Sequence, residues 1–182
     1  MDLQDFEGQA MYFDTEMPVR VGELLRQAGE LYGQTAAESK LIKAFSLAPK
    51  NLTVLVAMYR FYYYQHRWRD ALAIADLAIQ AAGEQLNMCR PWYELTKSDL
   101  GPAVLQSMGL VRFYFLALKG AGYLLLRMGD SEGAIHRLQK VVEMDPFDRL
   151  GANILLHWAK YGGSDGKSRL RLAYVNQSRL AS

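Results

Sequence analysis

The chain has 182 residues, of which 51% are hydrophobic and 22% are charged, and its formal net charge is +2. This length suits one well-buried domain, and the apolar share excludes a largely disordered chain. A net charge so close to zero, without a basic stripe, lacks the electrostatic footprint of nucleic-acid binding, so we expect no nucleic acid as a partner.

The first predicted element is an acidic N-terminal arm, residues 1–17. Its first sixteen residues carry five acidic and no basic side chains, and large apolar residues stand among them. Two outcomes stay open: the arm lies in a groove of its own chain or of a neighbouring copy, or it is a loosely packed terminus. The arm lacks the pattern of a secretory signal and Cys89 has no partner cysteine, so we expect a cytoplasmic protein.

Apolar residues recur at helical spacing through residues 18–163, in units of one length. Ala37 and Ala71 are thirty-four residues apart, and Ala134 follows after sixty-three, which is one further unit plus twenty-nine residues. Alternation with a period of two is hard to find, so the pattern predicts an all-α chain. A period of this length, carried by amphipathic segments, is typical of stacked helix-turn-helix units.

The first two predicted units are helical hairpins. One spans residues 19–47, and the second turns around residues 66–69 and ends at Gly83, because glycine commonly ends helices. In the second unit Tyr59 and Tyr62 fall on the packing face, so we expect both in the core.

An insertion at about residues 85–112 separates the second and third units. Ser98 or Asp99 is a suitable N-cap and Pro102 is tolerated in a first turn, so the third unit's first helix is expected to begin near Asp99 and to run unusually long. Before it, residues 88–95 are expected to form a loop or short helix packed against the stack.

The third unit turns at Gly129 and Asp130 and ends at Pro146. A further helical pattern over residues 152–159 is expected to cover the apolar end of the stack. Residues 164–182 then form a basic tail or short helix.

The most apolar stretch, residues 110–126, is interrupted by Arg112, Lys119 and Gly120. We therefore expect no stable membrane insertion.

These units resemble the tetratricopeptide repeat family over about residues 19–161, outside the insertion. The resemblance implies a right-handed superhelix of antiparallel helix pairs, an α-solenoid. Leu25 and Tyr59 depart from it, since the family prefers a small glycine there. The matching positions are Leu24, Ala37, Phe45 and Pro49; Leu55, Tyr62, Ala71, Ala78 and Gly83; and Leu118, Gly122, Gly129, Ala134 and Pro146.

In this family the first helices of successive units line a concave groove, and the resemblance implies a basic, tyrosine-rich lining. Such a lining suits an extended or helical peptide that carries carboxylates. Tyr63 and Tyr64 are equally compatible with the groove and with packing between units. The implied groove residues are Arg26, Arg60, Tyr63, Tyr64, Lys119, Tyr123, Arg127, His157, Lys160 and Tyr161.

Candidate catalytic and metal-ligating residues are few. The three histidines lie in three different units, without the spacing of a helical metal-ligand pair, so we expect no metal or other cofactor. The GKS sequence at 166–168 follows no strand and suits a link to the tail better than a phosphate loop. An enzyme site in the insertion, around Cys89, Arg90, Trp92 and Tyr93, is the weakest of three functional alternatives.

The leading hypothesis is a non-enzymatic tetratricopeptide adaptor, assembly factor or chaperone that binds a protein or peptide, with acidic partners favoured. The second is a scaffold that forms a homodimer through the arm or the insertion. Type III secretion chaperones are one subtype of comparable size. Residues 59–67 and 109–127 also resemble small tetratricopeptide proteins found among nitrogen-fixation accessory genes.

Overall fold

All regular structure in the described part of the chain is helical. The structure is a computed structural model that describes residues 17–32, 34–88 and 90–162. Those residues contain no strand, which confirms the all-α prediction. The helices are α1 (Val19–Glu30), α2 (Thr35–Leu47), α3 (Leu52–Tyr64), α4 (Trp68–Gln85), a short 3-10 helix (Trp92–Glu94), α5 (Lys97–Met128), α6 (Ser131–Met144) and α7 (Asn153–Tyr161).

Each helix packs mainly against its neighbours in the chain, so α1/α2, α3/α4 and α5/α6 form three hairpins and α7 follows α6. The repeating alanines Ala37, Ala71 and Ala134 are all fully buried. A small side chain at each of these positions lets the paired helices approach closely. The three hairpins and the trailing helix are confirmed, whereas the right-handed superhelix stays a prediction.

The largest buried side chains lie on α3 and on the C-terminal part of α5. Tyr59 and Tyr62 are both buried, which confirms the core prediction for them. Each apolar side chain of this size contributes about 1.5–3 kcal/mol when it is fully removed from water. Leu52, Leu55, Phe113, Leu116, Leu118 and Leu124 complete this central layer.

Helix α5 is long and apolar enough to cross a membrane, judged by length and composition alone. However, 83% of its most apolar stretch is buried inside the fold, as in the core helices of soluble proteins. Helix α5 is therefore weak evidence for a membrane span.

The turn between α5 and α6 lies at Gly129 and Asp130, as the sequence predicts. Gly129 ends α5 in the left-handed conformation (φ 87°), which glycine adopts without steric cost. Asp130 then caps α6, since its side-chain oxygen accepts a hydrogen bond from the Gly133 N–H at 2.9 Å. Helix α6 ends at Met144, just before Pro146 as expected.

Gly83 does not end a helix, so that prediction is wrong. Helix α4 continues to Gln85, and Gly83 is buried within it. A side-chain carbon at this position would lie 3.3 Å from a ring carbon of Tyr114. The glycine therefore allows α4 to approach α5 closely.

The predicted start of α5 also needs correction. The helix begins at Lys97, with Thr96 as the N-cap in place of Ser98 or Asp99. The Asp99 carboxylate accepts hydrogen bonds from the Thr96 N–H at 2.8 Å and from its hydroxyl at 2.6 Å, which lowers the pKa of Asp99. Pro102 consequently lies in the second turn of the helix instead of the first.

The unusual length of α5 is confirmed, with a break inside it. Ser107 has extended backbone angles (φ −161°, ψ 103°), and its hydroxyl oxygen accepts a hydrogen bond from the Leu110 N–H at 3.2 Å. Ser107 thus caps the segment that continues to Met128. The 3-10 helix before α5 packs against α6, as expected for residues 88–95.

Candidate functional site

A cavity of about 530 Å³ opens between α1, α2 and α3, and we call it the α1–α3 pocket. Three small residues belong to its lining, Ala28 and Gly29 on α1 and Ala57 on α3. A side-chain carbon added to Gly29 would meet nothing within 4 Å. The residues that line the pocket are Leu25, Ala28, Gly29, Tyr32, Leu41, Ala57, Arg60, Phe61 and Tyr64.

The pocket has an aromatic wall and one cationic side chain. The Tyr32 ring contacts the edges of Phe61 and Tyr64, with centroid separations of 6.4 and 6.3 Å. Partial burial raises the pKa of Tyr32, so its hydroxyl stays protonated near neutral pH and can donate a hydrogen bond. Among the described residues that line the pocket, Arg60 carries the only formal charge. The pocket therefore combines apolar surface with a guanidinium group.

Ring contacts continue from the pocket across the first helices of the second and third hairpins. Tyr64 lies 5.6 Å from Tyr63, and Tyr63 lies 6.3 Å from Tyr123 of α5. We call the series Tyr32, Tyr64, Tyr63 and Tyr123 the tyrosine strip. It links the turn after α1 to α3 and α5.

Tyr63 and Tyr64 take the two different roles that the sequence left open. Tyr63 is buried, stacks on Tyr59 at 5.9 Å and contacts the edge of Trp68 at 5.4 Å. Tyr64 is 47% exposed and lines the pocket. Arg127 approaches the same cluster, with its guanidinium carbon 5.0 Å from the Trp68 ring centroid, a cation–π distance.

Arg26 does not line the pocket. It is exposed on α1 and pairs with Glu23 at 2.6 Å and with Glu30 on the same helix. These acids raise the pKa of Arg26, with the Glu23 hydrogen bond as the largest cause. Its charge is thus balanced by acids on its own helix.

The prediction that Lys119 lines an open groove needs correction. Lys119 is buried, and its Nζ donates a hydrogen bond to the Leu150 carbonyl oxygen at 2.7 Å. This bond holds the connection between α6 and α7 against α5. A register argument could not foresee it, because the acceptor lies thirty-one residues away in sequence.

The three predicted residues on α7 lie apart from the α1–α3 pocket. His157, Lys160 and Tyr161 are all exposed, and the His157 and Tyr161 rings are 5.0 Å apart. None of them belongs to the pocket lining. They form a separate exposed face at the C-terminal end of the helical stack.

Sequence reasoning missed Tyr32 and Phe61. Tyr32 stands just after α1 and directly before Gly33, outside the helical spacing on which the predictions depend. Its position at the end of the first helix of a hairpin is the feature of the sequence that indicates a place beside the first helices. Phe61 has no feature in the sequence that sets it apart from the four tyrosines around it, although its ring forms part of the pocket wall.

The described residues hold no group of three or more His, Cys, Asp or Glu side chains placed to bind a metal ion. Cys89, the GKS sequence, the acidic arm up to residue 16 and the C-terminal tail lie outside the described residues. Trp92 belongs to the enzyme site suggested within the insertion. It is half-buried, and its ring centroid lies 5.2 Å from the guanidinium carbon of Arg137.

Comparison with known proteins identifies a relative. No protein-family model matches the chain, and no solved structure matches it significantly. The chain is 46% identical over 156 residues to the "Uncharacterized 19.8 kDa protein in nifW 5'region" of Azotobacter chroococcum mcd 1. The match covers 86% of this chain and 87% of that protein. With this identity over nearly the full length of both chains, this protein belongs to the family of that Azotobacter chroococcum protein.

Proposed function

We propose that this protein is a non-enzymatic interaction module that binds a segment of a partner protein at the α1–α3 pocket, over the exposed rings of Tyr32 and Tyr64 at one end of the tyrosine strip. One observation carries the proposal: a series of ring contacts runs from Tyr32 to Tyr123, beside an open apolar pocket that contains Arg60. Tyrosine supplies large contact area with few rotatable bonds, so binding costs little conformational entropy.

The chemistry of the pocket favours a partner segment with an apolar side chain next to a carboxylate. Burial of one such side chain contributes about 1.5–3 kcal/mol. A carboxylate that reaches the Arg60 guanidinium forms charge-assisted hydrogen bonds, which are the stronger class. We propose an adaptor, assembly factor or chaperone of the cytoplasm on this basis.

Three consecutive hairpins with buried alanines at one repeat position support a tetratricopeptide-like superhelix, which we propose as the finer description of the fold. In such a stack each unit contacts its neighbours, and a concave surface follows from a small rotation per unit. Tyr64, Tyr63 and Tyr123 of the tyrosine strip lie on the helices that would line that surface.

Affinity capture from the native host tests the proposal, with Arg60→Glu and Arg26→Glu as a matched pair. Both variants reverse one arginine charge on neighbouring first helices, but only Arg60 lines the pocket. We expect a captured protein to be lost with Arg60→Glu and kept with Arg26→Glu. The purified partner should then bind the Arg60→Glu protein at least about tenfold more weakly, a loss of about 1.4 kcal/mol.

Circular dichroism of both variants is the control for folding. If every captured protein binds both folded variants equally, the pocket is not the binding site and the proposal fails. An enzymatic activity that survives Arg60→Glu and requires another site would also contradict it.

The relative in the nifW 5'region supports nitrogen fixation as the process in which the partner acts. This support agrees with the resemblance of residues 59–67 and 109–127 to nitrogen-fixation accessory proteins. Deletion of the gene is expected to lower growth on N₂ while leaving growth on fixed nitrogen unchanged. Equal growth of both strains on N₂ would contradict this assignment.

A homodimeric scaffold stays the second candidate, because the insertion exposes two large apolar side chains. Leu105 is 90% exposed and Met108 is 60% exposed, on either side of the break at Ser107. Light scattering of the wild type and of Leu105→Ser measures this directly. A wild-type dimer that Leu105→Ser converts to a monomer would favour the scaffold, and a monomer in both cases would exclude it.

A further inference from the structure

We infer that the α1–α3 pocket is the docking site of the chain's own N-terminal segment, residues 1–16. This segment lies outside the described residues, so the inference comes from the pocket, from the sequence of the segment and from the way the chain enters α1. It rests on the proposed function in one respect, since both assign binding to the same pocket.

The segment has the chemistry that the pocket accepts. It contains five acidic and no basic side chains, together with Phe6, Tyr12 and Phe13. Phe13 is followed directly by Asp14, which places a carboxylate next to a purely apolar ring. A ring in the pocket would bring this carboxylate to Arg60, the charged residue of the described lining.

The chain enters α1 on the face that leads to the pocket. A side-chain carbon on Gly22 would lie 3.6 Å from Cε of Met17, so the Met17 side chain lies against α1 at Gly22. Leu25 and Gly29 follow Gly22 by three and seven residues, which is the spacing of a single helical face. Both line the pocket, so Met17 marks a path along α1 toward it.

The segment is long enough to follow that path. A helix rises about 1.5 Å per residue, so Ala28 lies roughly 14 Å along the axis from Val19. An extended chain covers about 3.3 Å per residue, so four or five residues before Met17 span this distance. Those residues end at Phe13 and Tyr12, the two aromatic residues that precede Asp14.

Covalent attachment makes this occupancy effective even where the contact is weak. A short tether gives a local concentration on the order of millimolar at the pocket. A partner segment must then displace residues 1–16 to bind. Partner segments of low affinity would therefore fail to displace the docked segment.

The test uses a fluorescein-labelled peptide of residues 1–16 and two full-length proteins, the wild type and a Tyr12→Ser/Phe13→Ser variant. In the variant the attached segment loses the rings that fill the pocket. We expect fluorescence anisotropy to show that the variant binds the peptide at least about tenfold more tightly than the wild type does. A scrambled peptide of the same composition is the control for non-specific charge attraction.

Substitutions on the background of this variant locate the binding site. Arg60→Glu is expected to weaken peptide binding at least about tenfold, whereas Arg26→Glu leaves it unchanged. Gly29→Leu provides a second test if Arg60→Glu unfolds the protein, because a side-chain carbon added at Gly29 meets nothing within 4 Å and a larger side chain would take up space in the pocket that Gly29 lines. It should also abolish peptide binding.

Several results would overturn the inference. Equal peptide binding by the wild type and the variant would mean that the attached segment does not occupy the pocket. Equal binding of the scrambled peptide would mean that the pocket does not recognise this sequence. Peptide binding that neither Arg60→Glu nor Gly29→Leu affects would mean that the peptide binds elsewhere. A wild-type dimer that the Tyr12→Ser/Phe13→Ser change dissociates would assign the pocket to the segment of a second copy. Failure of the partner-capture experiment alone contradicts the proposed function and leaves the peptide result standing.

Discussion

Tyr63 and Tyr64 are adjacent in sequence, yet one is buried between helices and the other lines an open pocket. Successive residues on an α-helix point about 100° apart, so neighbours near the edge of a packed face can have opposite environments. The sequence pattern placed both tyrosines at this edge, but it did not show which of the two is buried. The position of Trp68 and Tyr123 decided it, since both rings pack on Tyr63.

Gly122 is expected to be intolerant of any side chain. A carbon added there would lie 2.8 Å from Cγ of the fully buried Leu138, so Gly122→Ala should destabilise the protein by about 1–3 kcal/mol. Gly29→Ala is the control, because its added carbon meets nothing and alanine favours the helix by up to about 1 kcal/mol. Urea unfolding measures both changes. Equal stability of Gly122→Ala and the wild type would show that α5 and α6 are not so tightly packed.

The ion pair between Lys50 and Glu84 should be visible in the titration of Glu84. The Lys50 ammonium donates a hydrogen bond to the Glu84 carboxylate at 2.6 Å, and this is the main cause that lowers the pKa of Glu84. Because the folded-state pKa is depressed, the pair stabilises the protein above the unfolded-state pKa. That contribution is lost as the pH falls through the folded-state pKa, in the acidic range.

NMR titration of the Glu84 carboxyl group tests this prediction. Lys50→Met is expected to raise the pKa of Glu84 toward its ordinary value, whereas Lys43→Met on α2 leaves it unchanged, since Lys43 is not among the causes of the shift. Since the pair is exposed, the effect on stability is expected to be small. An unshifted Glu84 pKa in Lys50→Met would mean that the pair does not form in solution.

At the scale of single elements, α5 departs most from a standard repeat helix. Predicting its length was possible because apolar residues continue at helical spacing from Leu100 to Leu126. Its break at Ser107 was not predictable from that pattern, since serine caps a helix only where the backbone has already left the helical conformation. Gly101 fits its place before Pro102 because it lacks the carbon that would clash with the proline ring.

The start of α6 depends on the Asp130 cap. Asp130→Ala removes the acceptor for the Gly133 N–H and should cost about 0.5–2 kcal/mol in the free energy of unfolding. Asp130→Asn keeps an oxygen at the same position and is the matched control, expected to stay close to the wild type. Chemical denaturation distinguishes the two. If both variants lose the same stability, the charge of Asp130 matters more than its cap.

For the whole molecule, the linear order of helix contacts predicts uneven stability. Helix α5 packs between α4 and α6, whereas α1 and α7 each pack mainly on a single neighbouring helix. In stacked repeats the terminal units open first, because fewer contacts hold them. Hydrogen exchange with mass spectrometry should find the slowest amides in the buried part of α5 and faster exchange in α1 and α7. Uniform protection along the chain would instead indicate one cooperative unit.

The pocket depends on the whole arrangement more than on any motif. Arg60 and Tyr64 were correctly placed on a first helix by repeat register, and both line the pocket. Tyr32 joins them from a turn, and Lys119 leaves the predicted set because it is buried and its ammonium group donates a hydrogen bond to a distant carbonyl oxygen. Register predicts which face of a helix a residue occupies, but another helix or loop decides whether that face is open.

The sequence by itself determined the helical class, the three hairpins and the trailing helix, because apolar spacing and helix-ending residues act within a few turns of chain. It also determined that alanines at one repeat position are buried, since close helix pairing requires small side chains there. Only the tertiary structure decided that Gly83 serves close packing, that Lys119 is buried and that α1, α2 and α3 leave a cavity beside Arg60. These features arise from contacts between helices and loops that are far apart in sequence. Local apolar spacing does not describe such contacts.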